Sequence, residues 1–323
     1  MNTFGRVFRI HIFGESHGGG VGVSIDGCPS GIPLTLADFE QDLLRRKSGA
    51  KGTTPRIESD APEILAGVFN NHTTGAPITI IFRNENTRSS DYKAFATMPR
   101  PGHADFTGNK KYNGFNDPRG GGHFSGRVTL GLVAAGVIAK KIIAPVNINA
   151  KLLSVGGSED IQSKIEEAIS ANDSVGGLIG CTITNMPVGL GNPFFDGIEA
   201  VLSHILFSIP AIKGVEFGSG FDAANMKGSE HNDIFISNTG KTRTNNAAGI
   251  NGGISNGNNI EFRVAVKPTS SIAMEQETFN FKENKMDKLQ IEGRHDACIA
   301  VRTPVIVESV SAIAIADLMM INQ

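Results

Sequence analysis

The chain has no tryptophan and only two tyrosines among its 323 residues. Proteins that grip single-stranded nucleic acid rely on aromatic stacking, so this shortage argues against an RNA-binding surface. A formal net charge of -2 also removes bulk electrostatic attraction to a polyanion. An anionic ligand would have to find a local patch. Cysteine is scarce as well: Cys28, Cys181 and Cys298 are far apart, odd in number and without CxxC or other metal-type spacing. That pattern speaks against a metal site and predicts reduced, buried thiols. No basic-then-apolar leader opens the sequence, and no apolar run reaches the ~18 to 20 residues of a membrane span. The expectation is a cytoplasmic protein without membrane contact.

Glycine, by contrast, is abundant, with 39 residues. The glycines punctuate good hydrophobic segments instead of forming repeats, which predicts tight turns and places where backbone must come close to a ligand. Amphipathic or apolar helices are legible at 35–47, 128–142, 158–170 and 197–209. In the first, Thr35 is expected to cap and Asp38 to complete an approximate capping box. The second is apolar nearly all round and should be central; the third should sit outside. Strand signals occur at 21–27, 77–83, 176–185, 260–268 and, near the end, in A-C-I-A-V-R-T-P-V-I-V-E at 297–308.

Two stretches echo each other, V-G-V-S-I-D-G-C-P-S-G-I-P-L and L-I-G-C-T-I-T-N-M-P-V-G-L, each a strand, a Pro/Gly break and then a helix. With no long linker between them, they suggest a duplicated unit inside one domain spanning 1–323. Strands and helices do not alternate regularly, which favours α+β layers over a parallel nucleotide-binding sheet.

Four short motifs carry candidate chemistry. G-E-S-H-G at 14–18 is no dinucleotide fingerprint, because its glycines precede a strand; His17 is open to two readings, a general acid or a structural imidazole. R-P-G-H-A-D at 100–105 presents Arg100 and His103 on a proline-stiffened turn. R-G-G-G-H-F-S-G-R at 119–127 spaces two glycines like a P-loop, yet Arg127 stands where lysine belongs and the hydroxyl of Thr129 comes one residue late. A helix follows directly, so its free amides suit a phosphate or carboxylate but not a magnesium nucleotide. G-R-H-D at 293–296 groups Arg294, His295 and Asp296, costly to bury without a ligand or partner.

In this order, together with R-R-K-S-G, K-G-V-E-F-G-S-G-F, N-G-G-I-S-N-G and K-P-T-S-S-I, these motifs resemble the chorismate synthase family from about residue 5 to 310. The resemblance implies a β-α-β sandwich of antiparallel sheets around a helical core, assembled as a homotetramer. It implies a lyase that converts 5-enolpyruvylshikimate 3-phosphate to chorismate and phosphate by 1,4-anti elimination. The family needs reduced FMN, here supplied by an external, NADP-linked reductant. Carried over by position, His17 resembles the acid that protonates the departing phosphate, His103 the residue that protonates the reduced flavin, and Asp296 the carboxylate assisting proton removal. Arg46, Arg100, Arg127 and Arg294 resemble the substrate-binding cations. His123, Phe124, Ser125, Ala211, Gly252, Lys267, Pro268, Thr269, Ser270, Ser271 and Arg294 match flavin-contacting positions. His123 and Phe124 depart from the family's usual R-S-S-A-R core, A-K-G-T-T at 50–54 replaces an arginine-containing segment of some relatives, and the chain is shorter than many members. A non-catalytic phosphate- or RNA-binding module is the alternative of a different class.

Overall fold

Residues 1–54, 58–85, 95, 97–291 and 295–322 are described by a computed structural model. In the first half, β1 (Thr3–Phe4), β2 (Arg9–Gly14) and β3 (Gly20–Asp26) lead to helix α1 (Ala37–Arg46). Then come β4 (Glu63–Ala66), a miniature hairpin β5 (Val68–Phe69) and β6 (His72–Thr73), strand β7 (Ile78–Arg83), short α2 (Asp105–Lys111) and α3 (Thr129–Ile142). The second half runs β8 (Asn147–Val155), α4 (Ile161–Ser170), β9 (Gly177–Thr184), α5 (Ile198–Leu206), β10 (Ile212–Phe217) and α6 (Gly228–His231). It continues through the hairpin β11 (Ile250–Asn251) and β12 (Ile254–Ser255), strand β13 (Ile260–Val266), the hairpin β14 (Gln276–Asn280) and β15 (Lys285–Leu289), and α7 (Pro304–Ile321).

A five-stranded sheet has the order β1-β2-β3-β7-β4 and a four-stranded sheet the order β10-β13-β9-β8, every pairing antiparallel. Helix α3 packs on the first sheet, α7 on the second, and the two helices pack on each other. This is the expected β-α-β sandwich. The duplication is visible in connectivity: β2-β3-α1-β4-β7 followed by α3, then β8-β9-α5-β10-β13 followed by α7, with α4 inserted after β8. Both halves order their equivalent strands the same way in the sheet, β2-β3-β7-β4 and β8-β9-β13-β10.

Period-two patterning explains the strands. In β7 Ile78, Ile80 and Phe82 face inward, and in β13 Ile260, Phe262, Val264 and Val266 do the same. Helices α3 and α7 lie between two sheets and have no polar face to spare; residues Thr129 to Ala139 and Val305 to Leu318 are buried throughout. At their contact Gly136 meets Ser309, and a β-carbon on Gly136 would lie 2.3 Å from that of Ser309.

Two expectations fail at the C-terminus. The segment 297–308 is not a strand: a 3-10 turn at Ile299–Arg302 gives way to α7 with Pro304 in its first turn. Proline there sacrifices no helical hydrogen bond, so its position marked a helix start that β-branched composition concealed. The same helix is long and apolar enough to cross a membrane, 18 residues of hydropathy 1.9, against the expectation that no segment would be; 78% of it is buried inside the protein. At the other end of the chain, Thr35 does not cap α1. Leu36 occupies that position, while the Asp38 carboxylate accepts both the Thr35 amide at 2.7 Å and its hydroxyl at 3.0 Å.

Two carboxylates on α7 tie the layers together. Asp317 accepts the backbone amides of Arg6, Val7 and Phe8 at 2.7 to 3.0 Å. Glu308 accepts both terminal nitrogens of Arg45 at 2.6 and 2.7 Å, Lys140 at 3.2 Å and the Ala150 amide at 2.9 Å. Burial alone would raise the Glu308 carboxyl, but Arg45, the Ala150 amide and Lys140 outweigh it and hold it below the usual carboxylate range.

A depressed carboxyl contributes stability that is complete above its unfolded pKa, about 4.3, and is lost as pH falls through the folded value. Glu308→Gln should therefore cost about 1 to 3 kcal/mol in urea unfolding at pH 7, with the gap to wild type closing below about pH 4. Gly136→Ala should destabilise by about 1 to 3 kcal/mol through overpacking, read as a lower urea midpoint with unchanged slope.

Candidate active site

The first turns of α3 and α7 open onto one cavity of about 810 Å³, bordered by Val128, Thr129 and Leu132 from one helix and Thr303 and Ile306 from the other. Small-molecule sites span about 300 to 1,000 Å³, and two helix N-termini direct free amides and positive dipole ends toward the space. Around it stand Arg46, Arg100, His103, His123, Phe124, Ser125, Arg127, Ala211, Lys267, Pro268, Thr269, Ser270, Ser271 and Asp296. These come from six separate stretches of chain, and the fold brings them to one place.

A single carboxylate organises the cationic wall. Asp60, in a left-handed backbone conformation at φ 51°, accepts Nη1 of Arg127 at 2.8 Å and lies 3.4 Å from Nη1 of Arg46. Arg46 also donates to the Thr129 hydroxyl at 3.1 Å and the Gly126 carbonyl at 3.0 Å, and Arg127 to the Arg83 carbonyl at 3.0 Å and to Asn84. Burial, then the nearby charges of Arg302 and Arg127, pushes the Arg46 guanidinium down to about 9 despite Asp60 and Asp296. It stays protonated at neutral pH, and its cost of burial is what an incoming anion would relieve. Lys267 is held below its ordinary value by burial and by Lys213, a second lysine on the cavity wall.

The carboxylate of Asp296 is held by the Thr54 amide at 3.0 Å on one oxygen and by Arg302 at 2.8 Å on the other. Each oxygen keeps a second lone pair. Arg100 differs from its expected part: Nε and Nη2 donate to Asp105 at 2.8 and 2.7 Å, Nη1 donates to Ser271 at 3.0 Å, and its plane lies 4.5 Å over the Phe95 ring. It braces the wall. Beside it Lys267 donates to the Gly102 carbonyl at 2.9 Å and to Ser270 at 2.6 Å, closing the R-P-G-H turn onto the K-P-T-S-S loop. Thr269 contributes a buried hydroxyl oxygen without a hydrogen-bond partner, beside a space that could supply one. Ala211 holds φ at 76°, its carbonyl accepting the Lys267 amide at 2.9 Å.

The R-G-G-G-H-F-S-G-R stretch forms the floor. Gly120, Gly121 and Gly122 all take left-handed φ values of 61°, 82° and 55°, so this run is open only to glycine without strain. His123 lines the cavity with its Nδ1 2.8 Å from the Gly14 carbonyl and Nε2 3.2 Å from Asn2. Ser125 caps the next turn by accepting the Arg127 amide. His17 is buried just behind the floor: a β-carbon at Gly120 would sit 2.6 Å from its Nε2.

Gly252 does not join the group. It lies between β11 and β12 at φ 61°, off the cavity wall of this chain. Arg294 lies outside the described residues. Conversely, Asp60, Lys213 and Arg302 line the cavity without having been singled out. Arg302 was hidden by the strand reading of its segment, and the Thr-Pro pair directly after it was the signal that a helix N-terminus stood there.

A family model described as chorismate synthase matches residues 8–320. The chain belongs to the chorismate synthase family. Chorismate synthase of Chitinophaga pinensis is 60% identical over 324 residues, covering 100% of this chain and 98% of the relative. That of Dehalococcoides mccartyi is 45% identical over 349 residues, covering 98% and 96%. A crystal structure of chorismate synthase superposes with a TM-score of 0.75 at 26% identity, covering 99% of this chain and 93% of the other.

Because Gly120 leaves the space that the His17 ring fills, Gly120→Ala should displace that imidazole. Turnover should fall by about tenfold or more, the lower bound for losing a positioned proton carrier, and the left-handed backbone at Gly120 should lower the thermal midpoint without abolishing the fold. Unchanged turnover would place His17 outside the chemistry.

Proposed function

We propose that the chain converts 5-enolpyruvylshikimate 3-phosphate to chorismate and phosphate, a carbon-oxygen lyase of the shikimate pathway and aromatic amino acid biosynthesis. The observation that carries this reading is the single cavity that joins buried guanidiniums, two proton carriers (His103 and Asp296) and a floor open to close backbone approach. The cations line a concave cavity of small-molecule size, which suits a small anion better than a nucleic acid.

The wall also fits FMN, the cofactor of this reading. Fit is argued from the unpartnered Thr269 hydroxyl, the lysine pair Lys213 and Lys267, and the apolar surface of Phe124, Ile209 and Leu132. Lys267 to Ser271, Ala211 and Ser125 would hold it, Phe124 offering ring surface. When bound and reduced it supplies electron density to a ring from which phosphate departs.

The chain's own residues do the rest. Arg46, Arg127 and Arg302, sharing Asp60 and Asp296, present surplus positive charge for the substrate's anionic groups. In the elimination the carbon-oxygen bond to phosphate breaks, its electron pair leaves with phosphate, and a ring proton is lost as the new double bond forms. His17 donates a proton to the leaving group, His103 holds a proton at its ring nitrogen toward the cofactor, and Asp296 assists removal of the ring proton. The two helix termini stabilise the charge on the departing phosphate. We further propose a single domain acting as a cytoplasmic homotetramer with flavin reduced by an external source. Exposed aromatics such as Phe194, Phe195 and Phe221, each more than 80% accessible, support assembly.

The decisive experiment is an anaerobic assay of the purified protein with reduced FMN and 5-enolpyruvylshikimate 3-phosphate, following phosphate and chorismate release. Turnover is expected; its absence under full reduction would refute the assignment. His103→Ala should slow that turnover by roughly ten- to ten-thousand-fold, with the melting temperature little changed.

A further inference from the structure

The two ring nitrogens of His103 face different surroundings. Nδ1 lies 2.6 Å from Oδ1 of Asp105, the first residue of α2. Nε2 faces the glycine floor, where a β-carbon at Gly121 would come 3.4 Å from it. Asp105 is buried on its other side against Arg100, accepting Nη2 at 2.7 Å, Nε at 2.8 Å and the Arg100 amide at 3.0 Å. Burial alone would raise the Asp105 carboxyl, but the hydrogen bonds from Arg100 and His103 reverse this and hold it well below the usual carboxylate range.

An ionised carboxylate can only accept, so a ring nitrogen this close to it must carry hydrogen. Nη2 of Arg100 also lies 3.0 Å from Nδ1. Two donors do not bond to each other, and the same Nη2 has Asp105 as its acceptor. Both hydrogens therefore point at one carboxylate. In water a neutral imidazole favours hydrogen on Nε2; Asp105 reverses that choice.

We propose that Asp105 is a positioning residue for His103. By holding the hydrogen on Nδ1, it leaves Nε2, the nitrogen facing the glycine floor, as the one that gives and receives protons. This rests on the reading of His103 as a proton carrier. The step balances within the ring: the Nε2–H bond of the imidazolium breaks, its electron pair stays on Nε2, and the proton passes to an acceptor in the cavity. The neutral form left behind carries hydrogen on Nδ1, against Asp105, and its free Nε2 pair takes a proton back. Arg100 acts one step further out. Its two bonds keep the carboxylate ionised and fixed, which accounts for a guanidinium that lines the cavity while being held by Asp105 and Ser271.

The test reads the tautomer in the full-length protein without ligand. Histidine-selective 15N labelling gives two-bond proton correlations that distinguish the two neutral tautomers, with the His103 signal assigned by its loss in His103→Ala. The native protein should show His103 with hydrogen on Nδ1, in its neutral or doubly protonated form, and Asp105→Asn should move the neutral ring to the Nε2–H tautomer. In the anaerobic assay Asp105→Asn should slow turnover by roughly ten- to a thousandfold and add nothing further when His103 is already alanine. A neutral Nε2–H tautomer in the native protein overturns the proposal, whatever the folding of Asp105→Asn. An equal further loss in the His103→Ala background also overturns it, because Asp105 would then act by another route. Full turnover in His103→Ala overturns instead the underlying reading of His103, while slow His103→Ala with fast Asp105→Asn overturns the positioning role alone.

Discussion

The contact between α3 and α7 is the constraint on which the architecture rests. Each helix lies against one sheet and against its counterpart, so the separation of the sheets is set by how closely the helices approach. Gly136 against Ser309 sets that approach. The same contact brings two helix starts side by side, and the cavity opens there, walled by Thr129 and Leu132 on one side and Thr303 and Ile306 on the other. Packing and chemistry thus share one cause. A core built from two apolar helices leaves their N-terminal amides as polar groups needing partners, and an anion-binding site answers that need.

The cationic wall shows how carboxylates let a fold keep several guanidiniums together around one space. Arg46 and Arg127 share Asp60, and Arg302 rests on Asp296, so each of these guanidiniums has a carboxylate near it, yet among the described lining residues the arginines and lysines outnumber Glu58, Asp60 and Asp296. Pairing holds them folded while leaving surplus charge toward the cavity. Lys213 and Lys267, which also line the cavity, add to that surplus. Substrate would complete an electrostatic arrangement that the protein alone leaves one-sided.

Much of this was legible in the residues. Alternating Ile, Val and Phe marked β3, β7, β9 and β13, and the all-apolar run at 128–142 announced a central helix. The duplicated unit was traceable from two strand-break-helix echoes, though only sheet order reveals how far the repeat extends. Strands β2, β8 and β10 escaped notice because few of their residues are fully buried, Ile10 in β2, Ile148, Ala150 and Val155 in β8 and Ile212 in β10, so their apolar alternation is weak. Helix α7 was misread because Val, Ile and Ala suit a strand or a fully buried helix equally, and periodicity carries no signal when no face is polar. Within the site the motifs supplied most of the wall, whereas Asp60 and Asp105 gain meaning only from partners such as Arg127 and His103. Pairings of that kind are properties of the folded chain.

Asp317 carries a consequence for the order in which the molecule is made. Its carboxylate receives the amides of Arg6, Val7 and Phe8, residues 309 to 311 positions away. Those amides open the approach to β2 in the first sheet, yet their acceptor lies in the last turns of the last helix. During synthesis these amides lack their acceptor until the chain has been extended through Asp317. Joining segments this far apart in the chain is a long-range event of the kind that slows folding, and it makes α7 the clasp that holds the link between β1 and β2 in place.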